Sequence, residues 1–269
     1  MSEHQLPNGV TLYVDDTGSG PAVVLLHGML MSGRFFRRQV PALSARYRLV
    51  IPDLRGHGRS EKVLHGHTVA TYARDLKALL EQLKVERPVV VGWSMGAMVA
   101  YEYLKLVDQE AVAGLVIVDQ PPSDYAWDGY EFGLLTPQSL AEFVEDVQMD
   151  LRAVAESFAV LMLHEPSPED TAWMVEEITR VPPAIASTIV VNQTLRDDRE
   201  FIATLRLPTM VLFGRDDKVT SPEAGTYIAG KLPGAQLRIF EHSSHCPFYE
   251  EPELFNEVLG GFLAEVTWA

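Results

Sequence analysis

Pro88-Val89-Val90-Val91-Gly92-Trp93-Ser94-Met95-Gly96 is the stretch that decides how this chain folds. A β-branched run meets a G-x-S-x-G pattern, and a helix-forming stretch follows, Ala97-Met98-Val99-Ala100-Tyr101-Glu102-Tyr103-Leu104. That order describes a strand, a sharp turn and a helix. Gly92 and Gly96 let strand and helix approach closely, while Ser94 takes an unfavourable backbone angle that points its hydroxyl outward. The helix start also aims free N–H groups and a positive dipole end at whatever forms beside Ser94. Five letters alone are weak evidence, since about one chain in ten of this size carries them by accident at average glycine usage. The flanks carry the weight, because they supply the strand and the helix that the turn requires.

Outward from this turn, the first half alternates strand and helix patterns. Strands are expected at Val10–Val14, Ala22–Leu26, Arg48–Ile51 and Leu115–Val118, and a helix at Ser32–Ala45. Thr68 reads as the cap of another helix, in which Val69, Tyr72, Ala73, Leu76, Leu79, Leu80 and Leu83 recur at helical spacing. Short Val/Leu/Ile runs without alternation indicate strands buried on both faces, hence a mostly parallel sheet covered by helices. Ligands of such sheets sit at the carboxyl ends of the strands, where Ser94 and the His27-Gly28 loop both fall. The pattern breaks at Pro121-Pro122. From there to about Leu205 the periodicity is helical, divided at Pro166-Ser167-Pro168 and Pro182-Pro183. Strands resume at Thr209–Gly214 and Gln236–Phe240, and a last helix runs from Glu253 to about Glu265. The expected organisation is a core of residues 1–120 and 207–269, with a helical cap inserted at 121–206.

The bulk properties narrow the partners. The chain has 269 residues, and 37 acids against 22 bases give a net charge of −15. Such a surface repels phosphate backbones and anionic membranes, so neither nucleic acid nor a membrane is an expected partner. A single cysteine, Cys246, forbids an intrachain disulfide. The start Met1-Ser2-Glu3-His4 lacks a basic and apolar leader, and apolar runs such as Ala22–Leu26 are far too short to span a bilayer. A cytoplasmic location is the expectation.

A serine hydroxyl needs a base, and the base needs an orienting acid. His245 follows the last expected strand and is preferred to His242, which falls closer to the strand itself. The acid belongs after the preceding strand, in Phe213-Gly214-Arg215-Asp216-Asp217-Lys218. Two adjacent aspartates point in different directions, and Asp217 is preferred to Asp216. Asp119 is a second place from which an acid could reach the same imidazole, although holding the start of the insert suits it better. Acyl transfer also needs N–H donors for a developing oxyanion. Met95, directly after Ser94, and Met29, in the loop after Ala22–Leu26, are the expected backbone donors. His27 reads as a loop anchor.

With these residues in place the chain resembles an α/β-hydrolase over nearly its whole length. The resemblance is carried by His27-Gly28, the segment Asp53 to Ser60, Gly92-Trp93-Ser94-Met95-Gly96, Gly214-Arg215-Asp216-Asp217, and Ser244-His245 ahead of Glu251-Pro252-Glu253. It implies an acid three residues after the strand-ending glycine, which is Asp217, and a histidine just before the last helix, which is His245. It implies a structural role for Asp53, Arg55 and His57. Ser244 departs from the glycine usual before this histidine. The Ser-Met-Gly turn and Asp119-Gln120-Pro121-Pro122 are similar to the small bacterial esterase, perhydrolase and lactonase branch. The expected function is therefore a serine hydrolase acting on carboxylic esters or lactones, with no cofactor. Peroxide in place of water, lyase or cofactor-free oxygenase chemistry, and a signalling receptor of the same fold remain alternatives. His65-Gly66-His67 and His242–His245 lack the further ligands a metal site needs, and Gly56-His57-Gly58 lacks dinucleotide-binding spacing. Phe143, Phe158, Leu161, Met162, Trp173, Met174 and Ile178 are read as mostly core, with some facing the pocket. Oligomeric state is left open.

Overall fold

Four β-branched, apolar runs without alternation are strands buried on both faces. The computed structural model describes residues 2–268. Its elements in chain order are β1 (Ser2–Gln5), β2 (Thr11–Thr17), β3 (Ala22–Leu26), α1 (Val40–Leu43), β4 (Arg48–Pro52), α2 (Val69–Gln82), β5 (Val89–Trp93), α3 (Met95–Leu106) and β6 (Gly114–Val118). Four helices follow: α4 (Pro137–Leu161), α5 (Pro168–Ile178), α6 (Pro183–Thr194) and α7 (Arg199–Ile202). The chain ends with β7 (Thr209–Gly214), α8 (Glu223–Lys231), β8 (Gln236–Phe240), α9 (Pro247–Glu250) and α10 (Pro252–Glu265). Every residue of β3, β5, β6 and β7 is buried.

The strands form one sheet in the order β1-β2-β4-β3-β5-β6-β7-β8. Only the β1–β2 and β2–β4 pairs are antiparallel; the other five are parallel. After β3 the chain first crosses to β4 on one side, then to β5 on the other. The order reverses there, and the crevice beyond the carboxyl ends of β3 and β5 is where this architecture binds ligands. Pairing of Leu26 with Gly92, Trp93 with Val118 and Gly214 with Phe240 levels the strand ends. The loops after β3, β5, β6, β7 and β8 consequently open on the same rim.

Trp93 anchors the core beneath that rim. It is fully buried, with the rings of Phe35, Phe36 and Phe248 at centroid distances of 5.2, 6.4 and 4.9 Å. Truncating one of these phenylalanines would cost about 3–5 kcal/mol. The capped helix is present as expected, with the Thr68 hydroxyl accepting from Thr71 N at 3.2 Å.

The expected helix at Ser32–Ala45 is not continuous. Gly33–Arg38 is a 3₁₀ turn, and α1 holds only four residues. Pro41 has no N–H to carry a hydrogen-bond ladder from the preceding turn, so the two pieces stay separate. The helical runs around Leu140 and Leu151 instead merge into α4. Asp150 interrupts it with φ −154° and ψ 79°, and its carboxylate accepts from Ala153 N at 3.0 Å, a cap inside the helix. No helix among the described residues is long and apolar enough to cross a membrane.

Candidate active site

The turn after β5 is sterically forced. A Cβ on Gly92 would lie 2.4 Å from Ala97 N and Cα, and one on Gly96 would lie 2.2 Å from Leu26 O. Only glycine allows α3 to start this close to β5 and β3. Ser94 between them is held at φ 52° and ψ −127°, a conformation that costs a non-glycine residue about 1–3 kcal/mol. The surroundings over-determine it, with Ser94 N donating to Val118 O at 2.9 Å and Ala97 N donating to Ser94 O at 2.8 Å. The Ser94 side chain caps no N–H of α3, so its hydroxyl stays at the cavity surface.

His245 is fixed from three sides. Its N–H donates to Met162 O at 3.1 Å, its carbonyl accepts from Trp93 Nε1 at 2.8 Å, and its Nδ1 meets Asp217 Oδ2 at 3.0 Å. Trp93 directly precedes Ser94, so the histidine loop is tied to the serine turn. A carboxylate can only accept, so Nδ1 carries the proton and Nε2 keeps its lone pair. Nε2 is buried and engaged by no other group among the described residues.

Asp217 Oδ1 also accepts from Val219 N at 2.7 Å and Thr220 N at 3.0 Å, and Oδ2 accepts from the Thr220 hydroxyl. Burial alone would raise its pKa. The neighbouring His245 charge and these donors outweigh burial and hold the carboxyl below the ordinary carboxylate value. Asp119 behaves oppositely. Complete burial and the adjacent Asp217 charge push its pKa well above the ordinary value, which favours the uncharged form. Its Oδ1 accepts from Gly214 N at 2.8 Å, tying the ends of β6 and β7, and its Oδ2 is unpaired.

Two rivals lie elsewhere. Asp216 faces His164, with 2.7 Å between Oδ2 and Nδ1, and is half exposed. His242 is exposed, its ring 6.5 Å from that of His164. Met29 and Met95 flank Ser94. Met29 lines the same cavity, and a Cβ on Gly28 would lie 3.1 Å from Ser94 Cβ, so this loop passes directly over the serine. Met95 is the first residue of α3, where N–H groups lack intrahelical acceptors.

His27 is an anchor. Its Nε2 accepts from Leu54 N at 2.9 Å, so Nδ1 donates to Gly28 O at 2.8 Å, and burial lowers its pKa. Asp53 is structural too, accepting from Gly33 N at 2.7 Å and Arg59 N at 2.8 Å. Arg55 forms a buried two-pronged pair with Asp75 at 2.7 and 2.8 Å. Burial raises the Cys246 thiol well above its ordinary value, which leaves it unreactive.

The Ser94 cavity holds about 280 Å³. Phe143, Phe158 and Leu161 of α4 form an apolar wall, whereas Met162, Met174 and Ile178 are wholly buried. Gln120, Asp124 and Gln193 supply polar groups that the sequence reading did not single out as site residues. The Gln120 position lay within a quoted motif, but nothing in the pattern showed its orientation. A larger hollow of about 800 Å³ lies by Glu102, Lys105 and Arg196. These side chains are spent on ion pairs with one another and with Asp198. The Ser187 and Thr188 hydroxyls that also line it donate to Pro183 O and Ala184 O, and no histidine stands among the lining residues to serve as a base. Among the described residues, Asp119, Asp217 and His245 bring possible metal-ligating atoms within 4.8 Å. The Asp217 oxygens are already occupied by four donors, which leaves them little capacity for a cation.

Residues 21–252 match a family model described as alpha/beta hydrolase fold. The chain is 30% identical over 262 residues to pimeloyl-[acyl-carrier protein] methyl ester esterase of Vibrio vulnificus, covering 93% of this chain and 97% of the relative. Among solved structures it is similar to the esterase EaEST from Exiguobacterium antarcticum, with a TM-score of 0.93, 26% identity, and 98% and 99% of the two chains covered. It is also similar to a bromoperoxidase from Bacillus anthracis, with a TM-score of 0.92, 26% identity, and 98% and 100% covered.

Proposed function

The chain belongs to the α/β-hydrolase fold family, and from that premise we propose that it cleaves carboxylic esters or lactones through an acyl-enzyme on Ser94. The observation that carries this reading is the buried Asp217–His245 pair, 3.0 Å apart, with Nε2 left unpaired on a loop bound to the serine turn. Ser94 Oγ attacks the carbonyl carbon while His245 Nε2 takes its proton. The N–H groups of Met29 and Met95 receive the negative oxygen of the tetrahedral intermediate. That intermediate collapses, and His245 passes its proton to the leaving alcohol. Water then attacks the acyl group and gives a proton to His245, which returns it to Ser94 Oγ as the Oγ–acyl bond breaks and the acid leaves. Asp217 keeps the imidazole in the required tautomer and stabilises its charged form. Residues 121–206 serve as the cap, with Phe143, Phe158 and Leu161 against the substrate.

Ser94→Ala should lower kcat for p-nitrophenyl butyrate by more than about 10³-fold with an unchanged circular dichroism spectrum. Full turnover by that variant would refute the assignment. The likeness to a bromoperoxidase favours one second reading, in which hydrogen peroxide replaces water at the acyl-enzyme and releases a peracid. Peracid formation measured against acid release at graded peroxide separates the two.

A further inference from the structure

Among the residues lining the Ser94 cavity is a polar cluster that ester cleavage does not use. Asp124 Oδ1 accepts from Gln120 Nε2 at 2.7 Å, and Oδ2 accepts from Gln193 Nε2 at 2.6 Å. Gln120 Nε2 also donates to Pro121 O at 2.8 Å. All three side chains are at least 95% buried and line the cavity with Ser94. An ionised carboxylate has no proton to give, so both amides must turn their NH₂ groups toward it. Each then keeps a carbonyl oxygen that can only accept. Gln193 Oε1 is buried and receives no hydrogen bond from the described residues. Unpaired buried acceptors are rare, and the facing wall of Phe143, Phe158 and Leu161 offers no donor.

We propose that Gln120, Asp124 and Gln193 form a subsite for a hydrogen-bond donor on the substrate, a secondary amide N–H or a hydroxyl, close to the carbonyl that Ser94 attacks. The inference rests on the proposed reading of Ser94 and names the substrate class it serves: neutral esters or lactones bearing such a donor. A substrate carboxylate at these amides would meet the Asp124 charge and is disfavoured, while Lys218, the cation lining the same cavity, already donates to Leu163 O and His164 O. Asp124 is the organiser. It fixes two amides in the accepting orientation, so the cavity reads a donor and rejects a further acceptor.

The test compares an ester carrying an α-acylamino group with its analogue in which CH₂ replaces the N–H. The unaltered protein should show kcat/KM about tenfold or more higher for the N–H ester, because the analogue leaves the buried acceptor unpaired. In Gln193→Met and in Gln120→Met the ratio should fall toward one. A ratio near one in the unaltered protein overturns the subsite, and so does a ratio that neither variant lowers. Hydrolysis of p-nitrophenyl butyrate by the unaltered protein reads the parent activity separately. If it proceeds while the ratio is one, only the subsite falls. If no ester is hydrolysed, both readings fall.

Discussion

The rim of the sheet and the helices between β6 and β7 are built to different tolerances. At the rim, Gly92, Gly96 and Gly214 each lack room for a single methyl group, and His245 is held by three separate hydrogen bonds. The inter-strand helices carry a non-helical residue inside α4 and expose Met149, Val160 and Leu161 on the same helix. The difference teaches where each property resides. Reacting groups need positions fixed to a fraction of an ångström, which a buried parallel sheet provides. Selectivity needs a wall that can be rebuilt without disturbing those positions, and in the proposed reading that wall is drawn from α4 and α6, whose residues line the Ser94 cavity.

The largest effect should follow from intruding on the rim. Gly96→Ala drives a Cβ into Leu26 O, which is backbone and cannot yield cheaply. Turnover should drop by about 10³-fold or more, together with a lower melting temperature in a thermal scan. A fully active Gly96→Ala protein would mean the turn is not under this constraint.

The two acids sharpen the contrast within the rim. Asp217→Asn removes the charge behind His245 and favours the wrong tautomer, so kcat should fall by about 10³–10⁴-fold. Asp119→Asn keeps the shape and an oxygen to accept from Gly214 N, at a site whose burial already disfavours charge, and kcat should change by less than about tenfold. Steady-state kinetics of both variants would expose a reversed order, which would move the orienting role to Asp119.

In the helical wall the effects should be smaller and confined to binding. Phe158→Ala removes an apolar surface lining the cavity. KM for a hexanoyl ester should rise about tenfold while kcat for an acetyl ester stays within about threefold. A matching loss on both esters would place Phe158 in the rim's structure instead.

The smallest effect is a pH dependence of selectivity. Burial raises Asp124 to a pKa of about 6, against the hydrogen bonds from Gln193 and Gln120 and the charge of His245, with Asp198 adding to the rise. Above that value it accepts from both amides. Below it, the protonated acid must donate to an oxygen, and a glutamine oxygen becomes its partner. The N–H over CH₂ preference should therefore decline about threefold between pH 8 and pH 5. Any pH effect common to both substrates cancels in the ratio. A preference independent of pH would remove Asp124 from the reading.

Most of the sheet was legible in the sequence because strands buried on both faces leave uninterrupted apolar runs, and β3, β6 and β7 fall where those runs lie. The edge strand β1 was not read. Its residues, Ser2 to Gln5, are largely exposed, so no apolar pattern marks it, and pairing with β2 alone makes it a strand. Helix α8 escaped for a related reason, since three of its nine residues are buried, Gly225 among them. Ser94, Asp217 and His245 could be nominated because each follows a strand that could be found. The polar trio in the cavity could not. Gln120 and Asp124 lie on a loop with one isolated bridge, and Gln193 comes from a helix about 70 residues later. No local pattern links them; only the folded arrangement of the wall over the rim does.

The central claim is that the strained hydroxyl of Ser94 is the reacting group. Its most direct measurement is intact-mass and peptide mapping after exposure to an alkyl fluorophosphonate, with Ser94→Ala in parallel. One covalent adduct on the peptide containing Ser94, lost in the alanine variant and formed in step with loss of esterase activity, is the predicted result. Ester turnover that persists with no adduct, or with the adduct on another residue, would contradict it.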